Sequence, residues 1–134
     1  MSWSVKKELI RLETLLYSRN LDFSANYVAV SNLHALLQDH PHVIRTASIS
    51  ALKRVLEEQA HIAQKQSLFL YRAAADGLLS VVVDAPNDGL RGHAMLALRQ
   101  IVDTASGYQQ RAAAEALGSL PLPIVGPLVD YSSA

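Results

Sequence analysis

The chain of 134 residues contains no cysteine. That excludes disulfides, thiol catalysis and the Cys-based zinc frameworks, while leaving the redox compartment open. Aromatic side chains are scarce, with one Trp, two Phe and five Tyr. The core therefore has to be built from aliphatic residues and alanine, which suits closely packed helices better than sheets. Net charge is lacking as well: twelve Lys and Arg balance twelve Asp and Glu, and four of each sign fall in residues 1–40. No long-range field would steer such a chain to nucleic acid or to an anionic membrane. The opening stretch "MSWSVKKELIRLETLL" breaks up its apolar residues with charges. Neither a signal peptide nor a membrane span is expected there, and a cytoplasmic location is the default expectation.

What the sequence does have is a rhythm. Around the pair Ala97-Leu98, the residues Leu90, Ala94, Leu98 and Ile101 recur at spacings of three and four, which places them on one face of an α-helix with small Ala97 beside them. The same spacing returns around Ala51-Leu52, around Gly77-Leu78 and around Ala116-Leu117, so the anchors at 51, 77, 97 and 116 are separated by 26, 20 and 19 residues. A helix with its turn needs about 15 to 20 residues, and a pair of helices makes a unit of the size found in solenoid repeats. The length fits a single domain over residues 1–134 with a proper core.

In chain order, a first helix starts after Ser2 or Ser4, turns Val5, Leu9, Leu12 and Leu16 inward and ends near 18–20. A second, capped by Asp22 or Ser24, buries Val30, Leu33 and Leu37 and closes at "QDHPH". A third opens at Pro41 and presents Ile44, Ala51, Leu52, Val55 and Leu56. Its turn falls in "QAHIAQKQS", after which a fourth helix carries Leu68, Tyr71, Leu78 and Val82. "DAPNDG" is the clearest break, with Asn87 and Asp88 as cap candidates. A fifth helix then runs to about Ala105 and a sixth from near Tyr108 to Ser119, while Pro123–Tyr131 reads as a short apolar helix packing on the sixth.

"DGLRGHAMLAL" resembles the short HEAT-type repeats first noted in phycobilisome-lyase proteins: an Asp, then an Arg, then Ala, Ala and Leu at helical spacing. "RAAAEALGSLPLPIVGPLVD" resembles the same unit, and "HVIRTASISALKRVL" does so with Ser48 in place of the first Ala. The similarity covers residues 41–131. It implies a HEAT/armadillo-like α-α superhelix in which Asp88, Arg91 and Arg45 have structural roles, with Gln110 rather than Arg111 in their register. An Arg near a helix start opposes the helix dipole unless an acid such as Asp88 answers it.

Residue types that carry chemistry are present without the patterns chemistry requires. His34, His40, His42 and His61 cluster in sequence, with His40 and His42 flanking Pro41 beside Asp39, but none pairs at helical i, i+4 spacing, and no metal site is expected. His93 reads as an edge residue of the fifth helix. No His is followed by Glu, as a di-iron site on such helices would need, and no Gly-X-Ser-X-Gly elbow exists for an activated serine. A repeat-type DNA glycosylase would need a basic aromatic groove, whereas residues 41–120 carry eight basic and seven acidic side chains. A bilin lyase, which the repeats resemble, would hold a tetrapyrrole, for which no pocket signature is found. No enzymatic activity and no cofactor are therefore expected.

Two readings remain. The first is an all-α, right-handed α-solenoid of about three antiparallel helix pairs plus a short C-terminal helix, acting as a protein-interaction or scaffold module for a partner protein or peptide. The apolar C-terminal segment predicts either a homodimer through that end or a continuation beyond Ala134. The alternative is a nucleic-acid-binding repeat using Lys53, Arg54, Lys65, Arg72, Arg99 and Arg111, if helices three to six expose them on one side. Glu57, Glu58, Asp76, Asp103 and Glu115 would neutralise that face, so nucleic acid is the less favoured partner and a membrane is not expected.

Overall fold

The computed structural model of the chain describes residues 2–18, 22–58 and 67–120, with side chains from Ser4 onward. They form six α-helices and, among the described residues, no strand: α1 Ser2–Tyr17, α2 Phe23–Asp39, α3 Thr46–Glu57, α4 Ser67–Asp84, α5 Asp88–Thr104 and α6 Gly107–Gly118. The fold class is all-α, as the residue spacing predicts. The expected helix over Pro123–Tyr131, Lys65, His61 and most of the "QAHIAQKQS" turn lie outside the described residues.

Local chemistry sets the helix starts. The Asp22 carboxylate accepts the Ala25 N–H at 2.8 Å and caps α2, and the Asn87 carbonyl oxygen accepts the Leu90 N–H at 2.9 Å and caps α5, leaving Asp88 as the first helical residue. Gly107 opens α6 at φ +60°, a conformation in which any side chain would be strained.

Three expectations need correction. Pro41 opens a short 3₁₀ turn, Pro41–Val43, and α3 begins only at Thr46. Ile44 and Arg45 between them are extended (ψ 132° and 171°), so the chain can sink Val43 and Ile44 into the core while Arg45 reaches outward to another helix. In α4 the inward stripe passes through Leu70, Tyr71, Ala74, Leu78, Val81 and Val82, leaving Leu68 only partly buried. In α6 the buried residues are Ala112, Ala113 and Ala116, followed by Leu120, and Leu117 packs at the edge of the core. An alanine face lets α6 lie close, and its leucine is then pushed to the margin.

Each helix packs on its next-but-one neighbour: α1 on α3, α3 on α5, α2 on α4, α4 on α6. Odd-numbered helices thus form one row and even-numbered helices a second. The rows are joined through the pairs α1–α2, α3–α4, α4–α5 and α5–α6. The buried apolar residues make one contiguous core. Inside it α3 and α4 approach closely at Gly77, where a Cβ would stand 3.0 Å from Leu52 Cδ1.

Candidate functional site

The even-numbered row carries the richest convergence of exposed side chains. On α2, Tyr27, Ser31, His34 and Gln38 lie at intervals of three or four and so share one face; on α4, Phe69, Arg72 and Asp76 do the same. The two faces meet along a cleft of about 330 Å³. At 1.5 Å rise per residue, the span from Tyr27 to Gln38 gives it a length of about 16 Å. Tyr27 and Phe69 are 40% and 59% exposed. The Tyr27 ring is held by stacking on Phe23, centroid to centroid 6.0 Å. Between the helices, His34 Nε2 and Ser80 Oγ are hydrogen-bonded at 2.7 Å. This bond joins segments 46 residues apart in sequence.

The charges of the row form a chain of pairs. Arg72 of α4 donates Nε to Glu115 Oε2 of α6 at 3.2 Å, and Arg111 donates Nε to Glu115 Oε1 at 3.2 Å. Hydrogen bonds from the two guanidiniums hold the Glu115 carboxyl below its ordinary range. Among the described residues Asp76 has no ion pair or hydrogen bond, and burial pushes its carboxyl up, against the pull of His34 and Arg72. Burial also lowers the His34 imidazole, with Asp76 acting in the opposite direction. His34 is therefore neutral near pH 7.

Ser80, His34 and Asp76 together supply the residue types of a nucleophile, a base and an acid. Asp76, however, makes no hydrogen bond to the imidazole. Ser80 stands within α4, where backbone N–H groups are committed to the helix, so none is free beside Oγ to hold an oxyanion. The bond ties α2 to α4. Among the described residues no group of three or more His, Asp or Glu is placed to hold a metal ion, and the His40 and His42 rings meet edge to face at 5.8 Å.

Of the six basic positions of the nucleic-acid reading, the five that are described are distributed over both rows. Lys53 donates from α3 to the Gln100 side chain of α5, Arg54 lies 5.0 Å over the Tyr17 ring of α1, and Arg99 is exposed on α5. Arg72 and Arg111 belong to the even row and share Glu115, and Lys65 lies outside the described residues.

Arg91, in the first turns of α5, donates Nε to the Ala85 carbonyl at 2.8 Å and stands 3.6 Å from Asp88. Gln110 occupies the corresponding place in α6 and likewise reaches back to the Val102 carbonyl at 2.8 Å. Arg45 differs: it precedes α3 and pairs with Glu13 of α1.

Two buried polar links have no counterpart in the sequence reading. Glu13, 3% exposed, accepts from Arg45 and from Ser48 Oγ at 2.7 Å, which ties α1 to the start of α3. Gln109, 1% exposed, donates Nε2 to the Leu56 carbonyl at 2.7 Å and to the Glu58 carbonyl at 3.1 Å, and the Tyr71 hydroxyl donates to Glu58 O at 2.7 Å. The end of α3 is thus capped from α4 and α6. Burial pushes the Tyr71 phenol up to about 12. A signal for the first link was present: Glu13 and Ser48 both occupy stripe positions where an apolar or small residue belongs.

A second cleft, about 510 Å³, lies between α1 and α2. It is larger but offers less chemistry, because Arg11 is paired with Glu8 and Asp22 is used as a cap. Among the described residues no helix is long and apolar enough to cross a membrane. No protein-family model, no curated protein and no solved structure matches the chain.

Proposed function

We propose that the chain is a non-catalytic interaction or scaffold module, a short HEAT-like α-solenoid whose even-numbered row receives a partner protein or peptide. The next-but-one packing of the helices supports the solenoid reading, since repeat units bury their apolar faces against neighbours in this order. The observation that carries the docking reading is the placing of Tyr27 and Phe69, both large and exposed, at one cleft beside a row of balanced charges. Aromatic anchors that a partner can cover dominate binding energy at interfaces, and balanced charges discriminate among partners without steering to polyanions. A cytoplasmic setting fits this reading.

The test is to capture binders from a cell extract on the immobilised chain, purify the one recovered, and measure its affinity directly. Phe69→Ala and Tyr27→Ala should each weaken binding by about tenfold or more, Arg99→Ala on the odd row should leave it unchanged, and added salt should matter little. If Arg99→Ala or Lys53→Ala abolishes binding, or if affinity collapses steeply with salt, the even row is not the docking face and the basic positions become the site.

A further inference from the structure

We propose that the hydrogen bond between His34 and Ser80 is a proton-operated latch on the α2–α4 cleft: a neutral imidazole holds α2 against α4, and a protonated one lets α2 draw away. The consequence for docking rests on the reading above, whereas the latch itself stands on the geometry of the two helices. His34 Nε2 and Ser80 Oγ meet at 2.7 Å across the interface, part-buried, and His34 also lines the cleft that Tyr27 and Phe69 flank. One of these two aromatic side chains stands on each helix. A change at the ring therefore acts both on the packing of α2 and on the spacing of the anchors that a partner would cover.

The charges around the ring set the direction. On α4, Arg72 is bonded to Glu115 of α6, and Asp76 attracts a charged imidazole through space, with no hydrogen bond to it among the described residues. The other elements packed on α2 are α1 and the turn Pro41–Val43. Their titratable groups face other partners or water: Glu13 meets Arg45, Arg11 meets Glu8, Tyr17 lies under Arg54 and His42 against His40, while Lys6 and Lys7 are exposed. The helix itself adds Tyr27 and Asp39, both exposed. Burial outweighs the attraction of Asp76, so the packed helices disfavour the charged ring. Both tautomers lead to the same result. A ring that accepts from Ser80 becomes a donor, and a ring that already donates still acquires its charge between the helices. The fold decides which part yields. The α4 helix is held by α3, α5 and α6 as well as by α2, and α1 is tied to the start of α3 through Glu13. Since α2 packs chiefly on α1 and α4, it is the less supported wall of the cleft and the one that opens locally.

The absence of cysteine lets spin labels be placed at chosen pairs in the full chain. Labels at Gln38→Cys and Val83→Cys, exposed positions on α2 and α4, report the latch by double electron–electron resonance. Labels at Arg99→Cys and Ala114→Cys, exposed on α5 and α6, give the reference distance. From pH 7.5 to pH 5 the α2–α4 distances should lengthen and broaden reversibly, while the α5–α6 distances stay as they are. With His34→Gln, which can still bond Ser80 but does not titrate, the α2–α4 distances should hold throughout. Constant α2–α4 distances with His34 in place overturn the latch. So does a lengthening that persists in His34→Gln, or one that both pairs share, which is general unfolding in acid. No partner enters these measurements, so the latch can fail while docking at neutral pH stands, and docking can fail while the latch works.

Discussion

His34 is the residue whose protonation acts directly on the contact between two helices. Its folded-state imidazole is lowered from the ordinary 6.5 by burial, so the native state holds fewer protons there than the unfolded chain. Stability from this group is complete above 6.5 and is lost as pH falls through the lower folded value. Protonation also costs Ser80 its acceptor if Nε2 is the unprotonated nitrogen, because an imidazolium only donates. Asp76 has the opposite sign: raised from 3.8 in the folded state, it relieves a burial penalty when it protonates at more acid pH. Urea midpoints measured from pH 7.5 down to 5 should therefore fall more for the native chain than for His34→Gln. Parallel slopes would mean that His34 is as well solvated in the folded as in the unfolded state.

Between α3 and α4 the decisive contact involves a missing side chain. A methyl on Gly77 would meet Leu52 Cδ1 at 3.0 Å and Cδ2 at 3.2 Å, with Leu52 wholly buried. Gly77→Ala gains up to about 1 kcal/mol of helix propensity and loses about 1–3 kcal/mol to overpacking, so it should be neutral to destabilising. In a Leu52→Val background, where both Cδ atoms are gone, the same change should become stabilising. A double-mutant cycle by urea denaturation measures the coupling, expected within about 0.5–3 kcal/mol, and additivity would place the two helices farther apart. Helices of this kind were legible in the sequence because stripes such as Leu9, Leu12 and Leu16, or Val30, Leu33 and Leu37, are set by one helix's own periodicity. What escaped the sequence depends on a second segment. Glu13 needs Arg45 and Ser48, and Gln109 needs the carbonyls of Leu56 and Glu58, more than 50 residues away. The start of α3 escaped because Pro41 is equally at home in a 3₁₀ turn, and only the burial of both Val43 and Ile44 delays the helix. The cleft was hidden for the same reason: Tyr27 and Phe69 belong to helices made neighbours only by next-but-one packing.

At the scale of the molecule, α4 packs on α2, α3, α5 and α6, more partners than α1, α2 or α6 has. Its buried residues run almost its full length, from Ser67 to Val82, and include Tyr71 at 0% exposure. Its sequence is the most apolar of the six helices, with Arg72, Asp76 and Asp84 as its only charges, as a helix covered from several sides requires. The consequence is that no seam runs through the described residues. Cleaved at Pro86, the chain would yield one piece with a stripped flank on α4 and another, α5 and α6, with no partner for Ala94, Leu98 and Ala113. Each piece taken alone should show well under its share of the intact chain's helical circular dichroism, and mixing them should recover the missing signal. Full helicity in either piece alone would show that it folds without the other. The two fragments would then be halves of a lock, each informative only in the presence of the other, and their rejoining could be made to report on whatever brings them together.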